Sequence, residues 1–190
     1  MRYFIYYLFS SLLLFVSCKE NQSINEDYIT LNLVKSILEN ENFMNINSIA
    51  EIDPSRNQLD EEYKTFVSRY LKIKDLIHLE KEFELYKNFK ITPEMVNFKK
   101  LIAEEKINDF TKLAGFTRDN DYKYIDWLIS NGCKYGFGVI SRPIFNEEYN
   151  MAIIRLETVC GPLCGGGLIA IYKLHNEEWA VEKILDRWVN

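Results

Sequence analysis

The chain is short of the residues on which most catalytic and nucleic-acid sites are built. Histidine occurs only twice, as His78 and His175, and neither neighbours a Ser or Cys in a nucleophile motif. A Ser–His–Asp type triad therefore has little to stand on. Cations are outnumbered, with 23 Lys and Arg against 28 Asp and Glu, a formal charge of -5 and a pI near 5.2. Nucleic acid asks for a clustered basic face, so this balance weighs against it as a partner. Glycine and proline are sparse, at 8 and 4, and no linker, repeat or low-complexity tract divides the chain. No apolar run reaches the roughly 20 residues that cross a bilayer. What the chain has in quantity is aromatic: 12 Tyr, 12 Phe and 3 Trp. With 47% hydrophobic and 27% charged residues, a length of 190 fits one globular domain with a real core.

The N-terminus carries the most specific signal. Met1-Arg2 gives a short positive start, and Phe4 to Val16 is apolar except for Ser10 and Ser11. That is the length of a signal-peptide core and too short to span a membrane. The run ends at Phe15-Val16-Ser17-Cys18, with the polar Lys19-Glu20-Asn21-Gln22-Ser23 after it. This resembles the lipobox of bacterial lipoproteins, with Phe15 where Leu is usual. The resemblance implies that residues 1–17 are a removed signal peptide and that Cys18 becomes the first mature residue. Cys18 would carry acyl chains, palmitate among them, and 18–26 would tether the domain 27–190. Several chains hold a protein at a membrane where one does not. The expected place is the cell envelope, outside the cytoplasm, where disulfides persist. An ordinary secretory signal with a chance Cys, or a short membrane anchor, is the alternative.

Beyond the tether the periodicity is helical to about residue 132, then changes to two. Tyr28, Leu31, Val34 and Leu38 mark one helix, ended at Asn40-Glu41-Asn42. Asp53 to Asn57 reads as a loop, and 43–58 as a whole is irregular. Asp60 is placed to cap a helix with Tyr63, Phe66, Val67, Tyr70 and Leu71 inward. Asp75 starts a second, burying Leu76, Leu79, Phe83 and Tyr86. Thr92-Pro93 begins a short helix. Further helices run from Glu104 to Leu113, with Gly115 beyond, and from Asp121 to Asn131, stopped by Gly132. Strands are predicted at Tyr135–Ser141, Met151–Val159, Leu168–Leu174 and Trp179–Ile184, with turns at Asn146-Glu147-Glu148 and His175 to Glu178. The fold class is thus α+β: helices over 27–132 packed on a C-terminal antiparallel sheet of about four strands over 133–190.

Cys160 and Cys164 flank Gly161-Pro162-Leu163 in the connection between two of these strands. Residues facing across such a hairpin lie within disulfide reach. A structural staple is the first reading, with a pairing through Cys133 as the alternative. If Cys18 is acylated, three cysteines remain and one is left over. Thiol–disulfide exchange is the sharper possibility, against which stand three intervening residues instead of two and the lack of a helix N-terminus. Zinc held by Cys133, Cys160, Cys164 and His175 is numerically possible but suits an oxidising compartment poorly. Gly165-Gly166-Gly167 precedes a strand and no Lys-Ser/Thr follows, so a bulge or close backbone approach is expected there instead of a phosphate loop. Glu80, Glu82 and Glu84, interleaved with lysine, read as a solvated face, as do Glu104-Glu105 and Glu147-Glu148.

Ser141-Arg142-Pro143-Ile144-Phe145, Cys160 to Gly167, Trp179 and Trp188 together resemble the C-terminal third of small uncharacterised bacterial lipoproteins. In that pattern the last hairpin turns at Asn-Gly before a Trp. Here Asn176-Glu177-Glu178-Trp179 has Glu instead, which speaks against a tight two-residue turn. The resemblance implies localisation and architecture and no catalytic residue. The sequence as a whole reads as a lipid-anchored, non-enzymatic module that binds or supports an envelope protein or ligand, with no cofactor and no metal. A thiol/disulfide or other enzyme using Cys160 and Cys164, and an immunity- or inhibitor-type lipoprotein, are the alternatives.

Overall fold

The computed structural model describes residues 25–40, 46–58, 60–113, 121–161 and 164–189. Cys18 and the segment around it, Glu41-Asn42, Gly115, Pro162 and Leu163 lie outside the described residues. In chain order the elements are α1 (Glu26–Asn40), β1 (Ser48–Ala50), α2 (Glu61–Leu71), α3 (Leu76–Asn88) and α4 (Pro93–Val96). There follow β2 (Lys100–Ile102), α5 (Glu104–Lys112), α6 (Asp121–Ser130), β3 (Phe137–Ile140) and β4 (Ile144–Phe145). The chain closes with β5 (Met151–Gly161), β6 (Cys164–His175) and β7 (Glu178–Val189). No helix among the described residues is long and apolar enough to cross a membrane.

Local chemistry starts the helices where the sequence places them. Asp60 accepts from Tyr63 N at 2.8 Å, filling one of the open donors at the head of α2. Asp75 accepts from Ile77 N at 2.8 Å in the same way for α3. Leu76, expected inward, is exposed in that first turn, and the buried stripe of α3 begins at Leu79. Glu147 Oε1, on the distant turn before β5, accepts from Lys74 N and Asp75 N at 2.9 and 2.8 Å. Glu147 thus stays at the surface, as expected, yet caps a helix far away in sequence.

All the strands join one sheet, in the order β2-β1-β3-β5-β6-β7, with β4 also on β5. The four antiparallel strands expected from the sequence are β3, β5, β6 and β7. The expectation of a purely antiparallel sheet needs correction, because β1 pairs in parallel with both β2 and β3. At three residues each, β1 and β2 are too short to show a period of two. The strands β5 to β7 also run longer than predicted, and Trp188 belongs to β7.

The sheet is covered on both faces. Ala152, Ile154, Leu156, Leu168, Ala170 and Tyr172 point to one side and pack with Leu33, Val34 and Ile37 of α1. On the other side Ile153 and Ile171 meet Val67, Leu71, Phe83 and Tyr86 of α2 and α3. Phe137 and Val139 meet Ile107, Phe110, Tyr124 and Leu128 of α5 and α6 on that same side. Truncating a wholly buried ring such as Phe83 to Ala costs about 3–5 kcal/mol.

One expectation from α3 fails outright. Glu82 is fully buried, not solvated, and its Oε2 accepts from Arg142 Nη1 at 2.8 Å and from Phe145 N at 3.0 Å. It lies one turn beyond Leu79, on the buried stripe that Phe83 and Tyr86 continue. Arg142 also donates to Pro143 O at 3.1 Å. The pair ties α3 to the bend between β3 and β4.

The turn after β6 is tight in spite of its sequence. His175 pairs with Glu178, and Asn176 and Glu177 take φ of 48° and 70°. Two successive positive φ values define the turn that suits twisted strands. Glu177 holds a conformation that glycine would adopt without strain.

Candidate functional site

The register of the three long strands builds a floor out of residues far apart in sequence. Arg155 pairs with Ile169, and Ile169 with Asp186. Glu157 pairs with Gly167, and Gly167 with Trp188. Paired residues point the same way, so these six share the face that carries α2, α3, α5 and α6. On β5 the apolar Ile153 lies under α2 and α3, and Val159 packs with the α5–α6 cluster. Arg155 and Glu157 fall between the two. The sheet is therefore uncovered by apolar packing at that point, and a cleft opens there.

Glycine shapes this floor. A Cβ on Gly167 would come within 2.2 Å of the Trp188 ring, and one on Gly166 within 2.7 Å of Trp188 O. With no side chain on Gly167, the indole folds inward and its centroid lies 5.5 Å from the Arg155 guanidinium, a cation–π distance. The glycine run is thus a close backbone approach, as expected. The bulge, the other possibility for the glycines, lies instead at Cys160, where the β5–β6 register shifts between Val159 and Gly161.

The polar groups under the cleft are bonded to one another. Asp53 is buried; its Oδ1 accepts from Ser55 N at 2.8 Å and Ser55 Oγ at 2.6 Å, and its Oδ2 from Tyr86 OH at 3.0 Å. Arg155 Nη1 donates to Ser55 Oγ, and Nη2 to Glu157 Oε1, both at 2.5 Å. Burial would lower the Arg155 pKa, but the Glu157 carboxylate overrides it and holds it above the usual value. Burial pushes the Tyr63 phenol up to about 12 and Tyr86 well above its ordinary value, aided by Asp53. Both tyrosines are neutral hydroxyl groups at physiological pH.

The cleft has two lobes that share Ser55, Gln58 and Arg155. One, of about 560 Å³, is walled by Tyr63, Phe66, Ile169 and Trp188, with Asp60, Glu62 and Asp186 among its polar groups. The other, of about 480 Å³, presents Asn57, Asn108 and Thr111. Each lies within the size range of ligand sites, about 300–1,000 Å³.

No protein family, curated protein or solved structure matches this chain.

The cysteines and histidines singled out in the sequence lie elsewhere. Cys160 and Cys164 are joined as a disulfide, with Cα atoms 5.1 Å apart. The residue directly opposite Cys164 is Gly161, and Cys160 is the extra residue of the bulge. Cys133 is free and buried, its thiol 3.3 Å from Asn131 O. His78 sits on α3 as predicted, its Nε2 3.0 Å from Phe145 O. His175 ends the 12-residue β6, about 35 Å from Cys164 at the usual strand rise, and lies 3.7 Å from Glu182. The four candidate zinc ligands are therefore not brought together, and among the described residues no group of His, Cys, Asp and Glu could hold a metal.

Sequence reading missed Asp53, Ser55, Arg155 and the floor role of Trp188. One signal was present: Arg155 and Glu157 are charged positions inside a strand that is apolar on both faces from Met151 to Ile154. A strand covered on both sides has charges only where the cover is interrupted.

Proposed function

We propose that this chain is a lipid-anchored, extracytoplasmic binding module that holds another envelope component in the cleft floored by Arg155 and Trp188. The observation that carries the reading is the state of the cleft's polar groups. Asp53, Ser55, Tyr86, Arg155 and Glu157 are tied into one network, which fixes the floor and leaves aromatic walls and amide groups to meet a ligand. Such an arrangement is built for recognition, because the charged groups of the floor, Asp53, Arg155 and Glu157, are spent on one another and on rigidity. The anchor rests on Phe15-Val16-Ser17-Cys18 after the apolar run. The Cys160–Cys164 bond suits an extracytoplasmic place.

The test uses the mature protein in detergent, sedimented with insoluble envelope material. Glu62 and Asp186 are exposed at the cleft rim and cap no helix, so Glu62→Lys/Asp186→Lys alters the rim and spares the core. Lys106→Glu, on the exposed side of α5, serves as the control. The expected result is reduced sedimentation of the rim variant alone. Equal sedimentation of wild type and both variants would overturn the reading.

A further inference from the structure

We infer that the occupant of this cleft is a neutral oligosaccharide, with a pyranose ring in the aromatic lobe and further rings across the amide lobe. The inference rests on the binding-module reading and adds the ligand's class. Three properties of the cleft select it.

The first is charge. Asp60, Glu62 and Asp186 line the aromatic lobe, and the cations among the described lining residues are committed: Arg155 to Glu157 and Ser55, Arg56 to Glu104 at 2.7 Å. A phosphate or carboxylate ligand would face these carboxylates with only committed cations to meet it. An organic cation would suit these carboxylates, but it would have to share the Trp188 ring with Arg155, which already lies at cation–π distance from it.

The second is the division of surface. Tyr63, Phe66 and Trp188 offer flat apolar area, while the amides of Asn57, Gln58 and Asn108 offer paired donors and acceptors and Thr111 Oγ1, whose hydrogen goes to Asn108 O, offers an acceptor. A sugar ring has the matching division, with C–H groups on its faces and hydroxyls around its rim. Carboxylates such as Asp186 accept from hydroxyls without needing a charge on the ligand.

The third is shape. Two lobes sharing Ser55, Gln58 and Arg155 make an open, extended groove, which fits a chain of rings better than one compact molecule. A peptide in extended form would seek the free edge of β7. That edge carries two register shifts and the charged Glu182, Lys183, Asp186 and Arg187, which hinder strand addition.

The experiment is a fluorescence titration of the mature protein with cellotetraose, chitotetraose, maltotetraose and laminaritetraose. A neutral capped tetrapeptide and adenosine monophosphate represent other ligand classes. Trp127 packs in the α5–α6 cluster and Trp179 against Phe145, so Trp188→Phe isolates the cleft signal. The expected result is a saturable change with at least one tetrasaccharide, absent in Trp188→Phe. Its affinity should fall roughly tenfold in Gln58→Ala/Asn108→Ala, both exposed positions. No change with any of the four sugars, or a change that survives both variants, overturns the inference. Saturable binding of the peptide or nucleotide instead would overturn the sugar class and leave the cleft as a binding surface. If the rim variants also sediment normally, the binding reading falls with it.

Discussion

Single residues carry much of this molecule, and their burial makes them testable. Glu82 and Arg142 are 0% and 5% exposed, so removing Glu82 leaves a buried Arg142 with a 4.0 Å approach to Glu26 in place of its 2.8 Å ion pair. Glu82→Ala should cost about 3–5 kcal/mol by urea unfolding, whereas replacing both residues by Leu and Met should cost much less. At the tip of the last hairpin, Glu177→Gly should raise stability by about 1 kcal/mol, because Glu177 holds φ at 70°. On the cleft floor, Gly167→Ala would drive a methyl into the indole and should cost about 1–3 kcal/mol, with a shift in Trp emission. What sequence could reveal at this scale follows burial and local geometry. Asp60 and Asp75 were legible as caps because a cap is a local event. Glu82 was not, since its partner is far along the chain and Lys81, Glu80 and Glu84 beside it look like a wet surface.

At the scale of elements, amphipathic period was a dependable guide wherever an element is long. It located α1, α2, α3, α5 and α6 and the antiparallel strands β3, β5, β6 and β7. It failed for β1, β2 and β4, which are two or three residues long and gain their strand character from neighbours already in the sheet. The cleft was hidden for a related reason. Its members come from the 53–58 loop, α2, α5, β5, β6 and β7, and only the register sets Arg155, Gly167 and Trp188 on one face. The β5–β6 hairpin yields its own prediction. Reducing the Cys160–Cys164 bond should lower stability by about 2 kcal/mol, as expected for closing so short a loop, while the fold persists by circular dichroism. The long β5–β6–β7 pairing holds the sheet without it.

For the molecule as a whole, acid stability follows from carboxylates that fix distant parts together. Glu26, at the head of α1, would be raised by burial, but Lys81 and Tyr149 overcome this and hold its pKa below 4.5. Glu104 is lowered by Lys90 and Arg56, and Glu147 by the backbone of Asp75 and Lys74. Each is ionised more readily folded than unfolded, so its contribution is complete above the unfolded value of 4.5 and drains away as pH falls through the folded one. The urea midpoint should therefore hold steady above that pH and decline below it, less steeply in Glu147→Gln. The anchor has a separate test: intact mass of protein from native membranes should show acyl chains on Cys18 and two thiols freed only by reduction.

The most direct measurement of the account is hydrogen exchange of the mature protein in detergent, with and without insoluble envelope material. Slower exchange at residues 60–66 and 185–189, with α1 and α6 unchanged, is the predicted result. Protection confined to other faces, or none anywhere, would contradict the claim that this cleft is where the protein meets its partner.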